Sequence, residues 1–180
     1  MAANGSVLYR LIVETAMRED VALRSLGEGI FLMPELAFAY LVGREVATRA
    51  IEVFGDSKVR WHRELKIGPS GPCDLVFEGD EGDKGLAVEF KMRGTVDSYI
   101  NDLNKLSEVD GQRYDRFFCA LVDVWPDKRD DDPRLAIAKR VYPRGYAVAT
   151  VWERAEFFST LQRRYQSQLC CFVGLWRIEV

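Results

Sequence analysis

One histidine, no C-x-x-C pair and no basic excess set the first limits on this 180-residue sequence. With His62 the only imidazole, any Ser-His-Asp or Cys-His catalyst must run through it. His62 lies in the alternating stretch Lys58-Val-Arg-Trp-His-Arg-Glu-Leu-Lys66, on the face of Lys58 and Arg60. A polar strand residue is the simpler reading there than a base. Cys73, Cys119, Cys170 and Cys171 occupy apolar, strand-like stretches without zinc-ligand spacing, so buried free thiols are expected. Vicinal cysteines on a strand point to opposite faces, which argues against a Cys170–Cys171 disulfide. The charge balance is 25 basic against 28 acidic residues, a net −3, which argues against a protein that wraps nucleic acid over its whole surface. A local basic groove stays open. No apolar run approaches the ~20 residues of a membrane span, the longest clean one covering 36–42. No charged-then-apolar leader precedes a small-residue cleavage site, so the expected location is cytoplasmic, without a membrane partner.

What is present reads as an ordinary globular domain, 48% hydrophobic and 29% charged. Val7, Leu8, Leu11 and Ile12 recur at helical spacing over 6–19. A second helix is expected to open with Pro34 in its first position and to run to Phe54, with Gly55 as its stop. Strands are expected over 58–66, 73–78 and 86–92, the last two joined by the polar loop 79–85. A helix over 96–108, with Tyr99, Ile100, Leu103 and Leu106 inward, and a buried strand over 117–124 complete the order. The spacing therefore predicts an α/β fold from residue 34: helix, three strands, helix, strand. The crossover implies a mixed central sheet with helices on both faces. Residues 1–33 form an N-terminal helix and loop, 34–124 the core and 125–180 an extension. That extension is read as a charged loop to 133, a short helix over 134–142, a strand over 146–152, a helix over 153–165 and a strand over 169–178.

The third core strand carries the chemistry. In Leu86-Ala-Val-Glu-Phe-Lys-Met92 the apolar face is Leu86, Val88, Phe90 and Met92, and Glu89 and Lys91 share the other, ~7 Å apart. A carboxylate and an ammonium in an apolar strand are costly to desolvate and need partners, a metal or a wet cleft. Antiparallel pairing across 79–85 would bring Asp74 near both. Two carboxylates can share a hard divalent cation, and a lysine beside them can position or deprotonate a water or neutralise developing charge. Acid-x-Lys triplets occur at Asp56–Lys58 and Glu64–Lys66 too, but only the third stands in an apolar strand beyond an Asp-bearing one. A salt bridge between strands is the structural alternative for Glu89 and Lys91.

Gly71-Pro-Cys-Asp74, fifteen residues before Glu89-Phe-Lys91, resembles the PD-(D/E)xK signature of the restriction-endonuclease-like nucleases. Cys73 between Pro72 and Asp74 is a departure from it. The order over 34–124 is similar to that superfamily's αβββαβ core. The resemblance implies Asp74 and Glu89 as metal ligands with the Phe90 carbonyl, Mg2+ or Mn2+ as cofactor, and Lys91 activating or positioning the water. It also implies a glutamate on the first core helix, matched by Glu35, with Glu45 as fallback; a first-turn acid on the helix dipole is the plainer account of Glu35.

Basic residues recur at Arg44, Arg49, Lys58, Arg60, Arg63 and Lys66, and again at Lys139, Arg140, Arg144, Arg154, Arg163 and Arg164. Trp61, Tyr142, Tyr146, Trp152 and Tyr165 stand among them, so phosphate contact and base stacking compete with a merely solvated surface. The acidic loops near Asp80–Asp83 and Asp130–Asp132 would point away from a polyanion. Asp102 and Lys105, spaced i, i+3, read as a surface ion pair. The expectation is a metal-dependent nuclease acting on DNA ahead of RNA, with a homodimer possible. The alternatives are a non-catalytic domain of the same fold, serving as a protein-interaction or nucleic-acid-binding module, and an unrelated α/β domain with a structural Glu89–Lys91 pair.

Overall fold

The structure is a computed structural model that describes residues 2–56, 58–80, 82–139, 145–150, 156–163, 165 and 169–179. Helix α1 spans Gly5–Leu23, capped by the Asn4 side chain on the Val7 N–H. Two 3-10 turns lead to α2, Glu35–Thr48. Pro34 is its N-cap rather than its first residue (φ −63°, ψ 142°), and its carbonyl accepts from Ala37 and Phe38 N–H. The helix expected to reach Phe54 breaks at Arg49 and resumes as α3, Ala50–Phe54. The Thr48 hydroxyl donates to the Arg44 carbonyl at 2.9 Å, a back-bond that bends helices. Gly55, at φ 75°, ends α3 as the left-handed residue only glycine adopts freely.

The sheet is mixed and open, with seven strands: β1 Arg60–Gly68, β2 Gly71–Glu78, β3 Gly85–Met92, β4 Tyr114–Val124, β5 Ala147–Thr150, β6 Glu156–Thr160 and β7 Leu169–Glu179. Helix α4, Val96–Ser107, crosses between β3 and β4, which are the parallel pair. The strand order is β1-β2-β3-β4-β7-β5, and β6 also pairs with β7. Helix, three strands, helix and strand thus follow in the predicted order, with α3 added. The extension differs more. In place of the helix expected over 153–165, Glu156–Thr160 is a strand against β7, where Phe157 and Phe158 pack into opposite faces of the sheet. Ladder pairing overrides local helical spacing there. Pro126–Asp131, expected as loop, is a 3-10 turn, and of the helix expected over 134–142 only a 3-10 turn, Leu135–Lys139, lies among the described residues.

Alternating strand residues feed two cores. Leu75, Phe77, Leu86, Val88 and Phe90 pack with α1, α2 and α3. Val76, Ala87, Phe118 and Ala120 pack with Tyr99, Leu103 and Leu106 of α4. Cys170 and Cys171 fall on opposite sides, as strand alternation requires, and the cysteines are free. No helix among the described residues is long and apolar enough to cross a membrane.

Candidate metal centre at the end of strand β3

The β2–β3 ladder runs Phe77↔Leu86, Val76↔Ala87, Leu75↔Val88. Beyond it the Asp74 carboxylate takes over from backbone: its Oδ2 accepts from the Phe90 N–H at 2.8 Å. The alternation of faces breaks at this level in β1 and β2. Cys73 packs toward α4 whereas Leu75 packs toward α2. On β1, Glu64 sits between the pairs Arg63↔Leu75 and Leu65↔Cys73 with a left-handed φ of 53°. Asp74, two residues from Val76 on β2, and Glu89, two residues from Ala87 on β3, follow strand alternation from residues that pack toward α4.

Glu89 is 4% exposed. Its Oε1 accepts from Lys105 Nζ of α4 at 2.7 Å, and its Oε2 is buried without a hydrogen-bond partner. Burial, then the charge of Asp74, pushes its pKa up to about 8 against the pull of Lys105. Asp74 is raised too, by burial first, with the Phe90 N–H opposing. Burial and the neighbouring Glu89 charge push the Cys73 thiol up to about 12, so it stays protonated. Lys91 Nζ lies 2.9 Å from Asp102 Oδ2 of α4 and 3.5 Å from Glu35 Oε1 of α2. Burial alone would depress Lys91, but these two carboxylates hold it above the ordinary lysine value. The other Glu35 oxygen accepts from the Met92 N–H at 2.6 Å.

The sequence-predicted residues Asp74, Glu89, Lys91 and Glu35 therefore meet at the end of β3. Glu45, the fallback, pairs instead with Arg18 of α1 at 3.2 Å. His62 stands apart, 3.4 Å from Glu78 on β2. Two members were missed. Asp102 and Lys105 do not form the expected surface pair; each turns to the sheet and takes an opposite charge from β3. Their signal lay in the sequence: both flank the Tyr99–Leu103–Leu106 stripe, and Glu89 and Lys91 required counter-charges. The structural alternative for Glu89 and Lys91 also changes form, since their partners lie on helices rather than on a strand.

Can these groups hold a hard cation? Asp74 and Glu89 offer oxygen donors, and Glu89 Oε2 is buried without a well-formed hydrogen bond, with the Cys73 thiol as its neighbour. Among the described residues no three His, Cys, Asp or Glu side chains converge as a ligand set. The fit is to a two-carboxylate site completed by backbone carbonyl and water. A cleft of about 660 Å3 at the opposite end of β3, lined by Arg60, Glu78, Lys84 and Arg113, contains none of these groups.

Arg140, Tyr142, Arg144, Trp152, Arg154 and Arg164 lie outside the described residues. Compared with family models, curated proteins and solved structures, the chain matches none.

Proposed function

We propose that this chain is a divalent-metal-dependent nuclease that hydrolyses phosphodiester bonds in DNA, built on the αβββαβ core of the PD-(D/E)xK superfamily. One observation carries the reading: a buried Glu89 carboxyl, its Oε2 without a well-formed hydrogen bond, beside Asp74 and two residues from Lys91. Asp74, Glu89 and the Phe90 carbonyl would hold Mg2+ or Mn2+, which supplies Lewis-acid polarisation of the phosphate and acidification of water. Lys105 fixes the Glu89 rotamer, and Asp74 is fixed by the Phe90 N–H. Lys91, kept protonated by Asp102 and Glu35 and 21% exposed, serves better as a donor to a phosphate oxygen gaining charge than as a base. Glu35 orients Lys91 and ties the end of β3 to α2.

Incubation with plasmid and single-stranded DNA plus Mg2+ or Mn2+, with an EDTA control, tests this. Cleavage should require metal and vanish in Lys91→Ala, while Lys91→Arg, which keeps the charge, should retain a measurable fraction. Full activity in Lys91→Ala would remove the role given to that residue; an inert wild type under all conditions would remove the enzyme. A non-catalytic module of the same fold is the second reading. It is favoured by the lack of a three-side-chain ligand set among the described residues and by the pairing of both lysines with carboxylates.

A further inference from the structure

The two lysines at the end of β3 divide the carboxylates between them. Lys91 is held by Asp102 at 2.9 Å and by Glu35 at 3.5 Å. Lys105, reaching across from α4, takes the proposed ligands themselves. Its Nζ donates to Glu89 Oε1 at 2.7 Å, and Asp74 and Cys73 are its other acidic neighbours. The Lys105 and Glu89 side chains are 18% and 5% exposed, so little water screens their attraction. One ammonium does not exhaust the carboxylate, since Glu89 Oε2 lies buried beside the Cys73 thiol without a well-formed hydrogen bond. A carboxylate in an apolar strand needs a positive charge at hand whether or not a metal is bound. Lys105 supplies that charge in the metal-free protein. A divalent cation arriving between Asp74 and Glu89 therefore meets a like charge already fixed to the other oxygen of Glu89.

We infer that Lys105 is the built-in counter-ion of the metal centre: it stabilises the Asp74–Glu89 pair without metal and sets a weak affinity for Mg2+ or Mn2+. Lys91 does not fill this place, because its ammonium is taken up by Asp102 and Glu35. The inference rests on the metal reading of Asp74 and Glu89 and adds the residue that governs how readily the site loads.

The test is Mn2+ binding to the full chain without DNA, under argon near pH 9, followed by the electron paramagnetic resonance of the free ion. Lys105→Gln removes the charge and should tighten binding by about tenfold. The vacated carboxylate also holds a proton more firmly, but a divalent ion gains twice what a proton gains when a neighbouring unit charge is lost. Lys105→Arg keeps the charge and should bind no tighter than wild type. Lys84→Gln, which removes the same charge at the other end of β3, where Lys84 pairs with Asp115 at 3.0 Å, should leave the affinity unchanged. Adding Glu89→Gln to Lys105→Gln should abolish the gain; a gain that persists places the ion elsewhere and overturns the inference. If Lys105→Gln is unfolded alone, Mn2+ should fold it and potassium chloride of the same ionic strength should not; failure of Mn2+ to do so also overturns it. Equal or weaker binding by a folded Lys105→Gln overturns the counter-ion, and if wild type still cleaves DNA with Mn2+ the nuclease reading survives. Tighter binding by Lys105→Gln, with cleavage by neither protein under any metal, sinks the nuclease and leaves the counter-ion standing. No binding by either protein overturns both.

Discussion

Glu89 holds a proton to about pH 8, while an exposed glutamate in the unfolded chain releases it near 4.5. Between those values the unfolded chain binds fewer protons than the folded one, so stability falls as pH rises through that window and is flat above it. Burial is the main cause and the Asp74 charge the second, and Lys105 only partly offsets them. Replacing the carboxylate by the isosteric amide removes the slope. Glu89→Gln should match wild type in melting temperature near pH 5 and exceed it near pH 9. The gain is at most a few kcal/mol, since one pKa unit corresponds to ~1.4 kcal/mol. Lys105 then loses its counter-charge, but its side chain is 18% exposed and reaches water. A melting difference that ignores pH, or a less stable amide at pH 9, would refute this account of Glu89. Sequence alone made Glu89 suspect because a charge in an apolar strand must be partnered. It could not name Lys105, because a helical i, i+3 pair with Asp102 satisfies the same charges locally.

At the level of elements, the antiparallel pairing of β2 with β3 is what delivers Asp74. Glu64 on β1, opposite this stretch, is exposed and left-handed at φ 53°. A left-handed L-residue costs ~1–2 kcal/mol, and glycine gives back ~0.5–1 kcal/mol in unfolded-chain entropy. Glu64→Gly should therefore stabilise the protein by roughly 0.5–1 kcal/mol, read as a higher urea midpoint at unchanged slope. A lower midpoint would mean that Glu64 is held by contacts rather than strained. Periodicity made the strands, α1 and α4 readable, because each buries one clean face. The flip between Cys73 and Leu75 was not readable, since residues two apart on a strand ordinarily share a side. Nor was the break at Arg49, next to which the Thr48 hydroxyl turns back on its own helix. The tail was read least well: Glu156–Thr160 becomes strand only because β7 offers it an edge.

For the whole molecule, a net charge of −3 conceals a division. Four carboxylates and two ammonium groups gather at one place, the end of β3. The excess of negative charge at β3 is what a divalent cation would relieve. A ligand that binds only the folded state stabilises it by mass action, about 1.4 kcal/mol at ten times its Kd. For a chain of this size ~1 kcal/mol moves the melting temperature by ~2–4 °C, so saturating Mn2+ should raise it by several degrees and EDTA should reverse the rise. Asp74→Asn is the informative partner. Its amide oxygen can still accept from the Phe90 N–H, which preserves the local fold, while the charge that a metal needs is gone. The variant should melt close to wild type without metal and show no rise with it. An equal rise in both proteins would assign the metal to another place, and no rise in wild type at any metal concentration would leave Glu89 Oε2 without the ligand that its burial implies.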